Sequence, residues 1–110
     1  MITWADFEKL DIRVGTIAKA EDFPKARKKA YKLQIDFGET LGLKASSAQI
    51  TEQYALEELP GMQVIAVVNF PPKQIATFIS ECLVLGIYTE AGSVVLLQPQ
   101  QNVANGLKIG

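Results

Sequence analysis

Apolar and polar positions alternate most clearly between Tyr31 and Phe37. There Tyr31, Leu33, Ile35 and Phe37 occupy the odd positions and Lys32, Gln34 and Asp36 the even ones, the period-two signature of a half-buried strand. Gly38-Glu39-Thr40 follows as a turn, and Leu41, Leu43 and Ala45 on alternating positions predict a hairpin partner. Upstream, Ile12 and Val14 alternate with Asp11 and Arg13, and the apolar phase then slips to Ile17 across Gly15. A one-residue slip turns side chains to the opposite face, so a bulged, strongly bent strand is expected at that glycine. Val64-Ile65-Ala66-Val67-Val68 is an unbroken apolar run ended by Pro71-Pro72, as in a central strand covered on both faces. Two more apolar runs, 82–87 and 94–97, flank a polar turn at 89–92, and Pro99 closes the second. Helical spacing appears twice. Thr3 with Asp6 resembles a capping box before Trp4, Phe7 and Leu10, and Thr51 caps a predicted helix through Tyr54, Leu56 and Leu59 that Pro60-Gly61 stops.

The resulting order is helix, three strands, helix, three strands, with short connections and no parallel crossover. This predicts an all-β protein with short helices, built as a five-stranded Greek-key barrel of the OB type. One domain is expected over 1–110, with a helical extension at 1–10, the barrel at 11–98 and a turn-rich extension at 99–110.

Composition removes more functions than it adds. The 110 residues are 48% hydrophobic and 21% charged, too apolar for a disordered chain. Eleven Lys plus Arg balance twelve Asp plus Glu, for a net charge of -1, so overall charge predicts neither a nucleic-acid nor a membrane-surface protein. The absence of histidine removes imidazole bases, Ser-His-Asp and Cys-His triads, and the commonest metal ligand. A single cysteine, Cys82, makes no internal disulfide or thiolate cluster and fits a reducing compartment. No apolar stretch nears the ~20 residues of a membrane span. The expectation is a cytoplasmic protein with no metal, no cofactor and no membrane insertion.

Local clustering restores some specificity. Lys25, Arg27, Lys28, Lys29 and Lys32 place five of the eleven basic residues within eight positions, with no acid between them. Such a loop neutralises phosphates and releases counterions; a solvated loop serving solubility would carry the same charges. Ser46, Ser47 and Ser80 are hydroxyls beside predicted strands, and Asn69-Phe70-Pro71-Pro72-Lys73 sets an amide, a ring and a cation at a strand end. Phe23, Phe70, Ile75 and Phe78 are candidate walls of a peptide groove, and the Trp4, Phe7 and Leu10 stripe is a candidate subunit interface. Cys82, with no histidine to activate it, reads as a small buried hydrophobe. A Ser-Lys pair using Lys44 or Lys73 lacks the desolvated surroundings it would need. No enzymatic activity is expected.

Several blocks then point the same way. Phe7-Glu8-Lys9-Leu10-Asp11-Ile12-Arg13-Val14-Gly15-Thr16-Ile17 resembles the opening of the tRNA-binding domain family, which is also found appended to methionyl- and tyrosyl-tRNA synthetases. The blocks 44–51, 67–73 and 80–86 (KASSAQIT, VVNFPPK and SECLVLG) look like its CsaA branch. The resemblance implies an OB-fold whose terminal extensions pair two subunits, acting as an export-related chaperone for unfolded or presequence-bearing peptides alongside the secretion ATPase. The wider family implies tRNA binding by structure rather than sequence. Carried over to this chain, it places Lys28, Lys29 and Lys32 in a nucleic-acid-contacting loop and Ser46, Asn69, Lys73 and Ser80 on the same face. The chain departs from the family at Ile75-Ala76-Thr77-Phe78-Ile79, where a basic residue and a glycine are usual. Less cation and more apolar surface there tilt the expectation from phosphate toward hydrophobic peptide.

Overall fold

The computed structural model describes residues 1–110. A short helix α1 (Trp4–Glu8) precedes β1 (Ile12–Asp22) and β2 (Tyr31–Asp36); a helical turn α2 (Gly38–Leu41) leads to β3 (Leu43–Ala48). After a 3-10 turn (Leu56–Glu58) come β4 (Gln63–Val67), the hairpin β5 (Lys73–Ile75) and β6 (Phe78–Ser80), then β7 (Leu83–Val84), β8 (Gly86–Tyr88) and β9 (Val94–Leu96). Five strands run β3-β2-β1-β4-β7, antiparallel throughout. The barrel closes between β3 and residues 80–82. Glu81 N–H donates to Ala45 O (2.8 Å), Ala45 N–H to Glu81 Oε1 (2.9 Å) and Ser47 N–H to Ser80 Oγ (3.2 Å). Side chains therefore complete a seam that a backbone ladder leaves open. This is a nearly closed OB-type barrel, as the strand pattern predicts.

Inside it, Ile17, Leu33, Ile35, Phe37, Leu59, Val64 and Ala66 are almost fully buried. The odd residues of β2 face this core, as their alternation requires. A second apolar layer, Ile12, Val14 and Val67, lies on the first half of β1 and the end of β4. The C-terminal tail adds a further rung beside it: Val14 N–H donates to Leu107 O, Gly106 N–H to Val14 O and Ile109 N–H to Ile12 O. Arg13 holds the tail from the side, donating through Nη1 to Gly106 O (3.0 Å) while Nε meets Asp11 Oδ1 at 2.6 Å.

Several expectations are corrected. The irregularity of β1 falls between Ile17 and Lys19, where Ala18 has no partner on β2, and not at Gly15. Gly15 serves another end: a Cβ there would lie 2.6 Å from Ile35 Cγ2 and 2.8 Å from the Phe37 ring. Residues 38–41 coil into a helical turn rather than a tight hairpin turn, so Leu41 leaves the strand. The helix expected from Thr51 is reduced to the 3-10 turn. Tyr54 is pulled off any helical path because its carbonyl accepts from Tyr31 Oη (2.8 Å) and its own hydroxyl accepts from Leu96 N–H (3.0 Å). The run 82–87 is split at Leu85, whose N–H donates to Ile65 O and whose carbonyl accepts from Leu97 N–H, switching the chain from β4 to β9.

The β5–β6 hairpin is absent from the sequence reading, because its two-residue loop, Ala76-Thr77, carries none of the usual Gly or Asn signals. Ala76 adopts φ 54°, in the left-handed region. Ala76→Gly is expected to relieve that strain and raise stability by about 0.5–1 kcal/mol, read as a higher denaturation midpoint at unchanged m-value; a lower midpoint would refute it.

At the N-terminus the capping box is present: Thr3 Oγ1 accepts from Asp6 N–H and Asp6 Oδ2 from Thr3 N–H. Those hydrogen bonds, the Thr3 amide first, hold the Asp6 carboxyl below its ordinary value. A depressed carboxylate pKa contributes stability above the unfolded value and loses it as pH falls through the folded one. Fluorescence of exposed Trp4, one residue from the cap, is therefore expected to change with an apparent pKa below the ordinary Asp value of 3.8. Asp6→Asn should shift or remove that transition; an unchanged one would refute the assignment.

Candidate ligand-binding grooves

The basic residues of the β1–β2 loop and the start of β2 meet three environments. Lys25, Arg27 and Lys28 turn toward β5 and, with Lys73, line an open groove of ≈ 960 Å³ whose floor includes Ser47, Gln49 and Gln74. No carboxylate and no aromatic ring lines it. Four cations facing neutral amides and a hydroxyl can bind a chain of anions through charge and hydrogen bonds, without a surface on which to stack a base. Lys29 lies on the other side of the loop with Asp22 and Glu52, and Arg27 borders that depression as well as the groove. Lys32 sits on the barrel wall: its Nζ is 3.9 Å from Glu21 Oε2 and 5.7 and 6.0 Å from the Phe23 and Phe78 ring centres. Glu21 also pairs with Lys19 at 2.8 Å. That hydrogen bond is the main cause of the lowered Glu21 and raised Lys19 pKa values.

Other predicted positions are engaged internally. Ser46 is 1% exposed and donates from Oγ to Cys82 O at 3.0 Å, so no ligand reaches it. Register decides this, since Ser46 pairs with core residue Leu33 while its neighbour Ser47 faces the groove. Asn69 spends its amide on the backbone, accepting from Asp11 N–H (2.9 Å) and donating to Lys9 O (2.7 Å), which ties α1 to the end of β4. Ser80 is part of the barrel seam. Gln49 and Gln74 are the groove residues that sequence reasoning missed; only the strand-end position of Gln49 beside the Ser47 face hinted at it.

Of the four proposed peptide-groove residues, Phe23, Phe78 and Ile75 come together, Phe78 pairing with Ile75 across the β5–β6 hairpin, but they pack against one another rather than lining a groove with Phe70. Phe23 is buried and meets Phe78 edge-on at 5.4 Å, so these rings pack against each other under Lys32. Ile75 lines the basic groove, and Phe70 stands exposed beyond β4, away from it. An apolar groove lies elsewhere. It has a volume of ≈ 330 Å³; exposed Leu83 and Tyr88 and half-buried Val84 and Val94 wall it over the buried side chains of Ala48 at the end of β3, Ile50 and Leu96, and Ser47 and Gln49 border it as well. Trp4 is 87% exposed, with Phe7 and Leu10 half-buried behind it.

Burial pushes the Cys82 thiol up to about 11, so it is neutral at pH 7. Thiol reagents are expected to label the native protein slowly and the unfolded protein at once; rapid native labelling would sink this assignment.

The family described as "Putative tRNA binding domain" matches residues 12–108. The chain belongs to that family. Among solved members of the OB-type group it is similar to chaperone CsaA of Bacillus anthracis, at 56% identity over 100% of this chain and 99% of that one, with a TM-score of 0.94. The CsaA chaperone protein of Picrophilus torridus is 57% identical over the whole of both chains, again with a TM-score of 0.94. A methionine–tRNA ligase of Porphyromonas gingivalis is 39% identical over 108 residues, which are 98% of this chain but 15% of the ligase. This tRNA-binding domain chain thus spans a small part of the synthetases it matches and the full length of the two CsaA proteins. No helix in it is long and apolar enough to cross a membrane.

Proposed function

We propose that this chain is a non-catalytic, dimeric chaperone of the CsaA type, working in the cytoplasm, that holds unfolded or presequence-bearing polypeptide for the secretion ATPase. The observation that carries this reading is end-to-end likeness to two CsaA chaperones at 56% and 57% identity. The apolar groove beside β3 supports it, because an extended segment can lay side chains against exposed Leu83 and Tyr88 and half-buried Val94. Exposed Trp4 on α1 supports the dimer, as does the exposed cross-strand pair Ile87 and Val95. Sedimentation at micromolar concentration should give twice the 12.0 kDa of one chain; a monomer would sink the dimer.

A second reading, a tRNA-binding protein that recognises backbone shape, is favoured by the convergence of Lys25, Arg27, Lys28 and Lys73. Salt separates the two. Affinity for total tRNA should fall steeply as ionic strength rises, whereas an uncharged apolar peptide should hold or bind tighter. Suppression of aggregation of an unfolded protein that persists at high salt supports the chaperone; loss of every activity but salt-sensitive tRNA binding overturns it.

A further inference from the structure

Of the three asparagines in the chain, only Asn105 precedes a glycine. Such a pair is reactive, because a glycine amide has no neighbouring Cβ to keep its nitrogen from the asparagine Cγ. The turn itself requires the glycine: Gly106 takes φ 91°, and a Cβ on it would lie 2.5 Å from Phe37 O. Both reacting groups are instead engaged by the fold. Gly106 N–H, the nucleophile, donates to Val14 O at 2.7 Å. Asn105 Oδ1 accepts from Thr16 Oγ1 (2.7 Å) and from Gln63 Nε2 (3.1 Å). Gln63 is fixed in turn by Val103, donating to its carbonyl at 2.7 Å and accepting from its N–H at 3.1 Å. An aspartate would accept the same two bonds at position 105, so these contacts do not require the amide.

From this geometry we infer that Asn105 is a deamidation site gated by the docking of the C-terminal tail on β1. A docked tail keeps the Gly106 nitrogen on Val14 and the Asn105 side chain on Thr16 and Gln63, so the two cannot meet. When the tail comes off, Gly106 N attacks Asn105 Cγ. A new N–C bond forms, the Cγ–Nδ2 bond breaks, the Gly106 amide proton passes to solvent hydroxide and ammonia departs. Water then opens the succinimide at either carbonyl, leaving aspartate or isoaspartate, with nothing oxidised or reduced. The aspartate product keeps the normal main chain and docks again. Isoaspartate routes the main chain through Cβ and Cγ, adding one backbone atom ahead of Gly106. There is no slack for it, because Asn105 O lies against Gly38, where an added Cβ would be 2.9 Å away. The tail then loses register with Val14, and the Arg13–Lys108 bridge and the Ile109 bond to Ile12 go with it. Half of one edge of β1 is left unpaired, a surface open to strand addition. Conversion is therefore one-way, and its rate records how often the tail leaves.

Ageing the whole protein at mildly alkaline pH tests this, with peptide mapping that separates asparagine, aspartate and isoaspartate at position 105. In urea Asn105 is expected to convert while Asn69 and Asn102 stay intact, their amides shielded by the side chains of Phe70 and Val103. In the native protein the same conversion should be slower by about tenfold or more, since only the undocked fraction reacts. Arg13→Ala removes a tail contact, the bond to Gly106 O, without touching either reacting group. It should speed conversion several-fold in the folded protein and leave the rate in urea unchanged. Equal native and urea rates overturn the inference, as does a folded Arg13→Ala protein that converts no faster than wild type. Hydrogen exchange reads the consequence: the isoaspartate form should lose protection at the Val14 and Ile109 amides, while Asn105→Asp, with the same charge and a normal main chain, keeps it. Protection retained in the isoaspartate form would overturn the loss of docking.

Discussion

Replacing Lys25, Lys28 and Lys73 together by Ala is expected to lower affinity for total tRNA by about a hundredfold at ~0.1 M salt. It should also flatten the log–log salt dependence by about two to three units. The control is Lys29→Ala/Lys32→Ala, which removes two cations from the stretch of sequence that also holds Lys25 and Lys28. Lys29 lies on the far side of the loop beside Asp22 and Glu52, and Lys32 is held between Glu21 and two rings. The control should cost only a few-fold, through the long-range field rather than direct contact. Filter binding or fluorescence titration across salt reads both variants. Equal losses would show that net charge, and not the groove, does the binding. Because all five side chains except Lys32 are well exposed, neither variant is expected to lower stability by more than about 0.5 kcal/mol.

Gly15→Ala should have the largest effect on the fold, a loss of about 2–3 kcal/mol. One added methyl would meet Ile35 Cγ2 at 2.6 Å and the Phe37 ring at 2.8 Å. Those side chains are 0% and 1% exposed, so neither can swing into solvent and the strand must move instead. That strand is held on both sides, by β2 and β4. Chemical denaturation should show a lower midpoint, and trimming Ile35 to Val in the same chain should recover part of the loss, since the two sites share the clash. A Gly15→Ala protein as stable as wild type would mean that the barrel wall is looser than its packing indicates.

Between them these variants separate what the sequence determines from what the fold adds. Period-two alternation specified β2 and its inward residues without help, because a strand with one buried face has a single register that satisfies its apolar side chains. The unbroken run at 64–68 and the Thr3–Asp6 cap were equally local signals, and both became the structures they predict. The basic loop was visible as a charge run. The missing histidine removed imidazole bases and histidine ligands from the candidate chemistry.

Tertiary structure decided the rest, because it depends on partners distant in the chain. Whether a serine reaches solvent was set by cross-strand register, which buries Ser46 opposite Leu33 and leaves Ser47 at the grooves. Tyr54 left its helical spacing for hydrogen bonds to residues 23 and 42 positions away. Asn69 was claimed by a backbone 58 residues earlier. Five neighbouring cations took on different surroundings only when the loop folded against β5, Glu21 and Glu52. Side-chain type and spacing determine which elements form, since those are local energies. Which charges share a surface is decided by long-range packing, because contacts between residues far apart in sequence exist only in the folded chain.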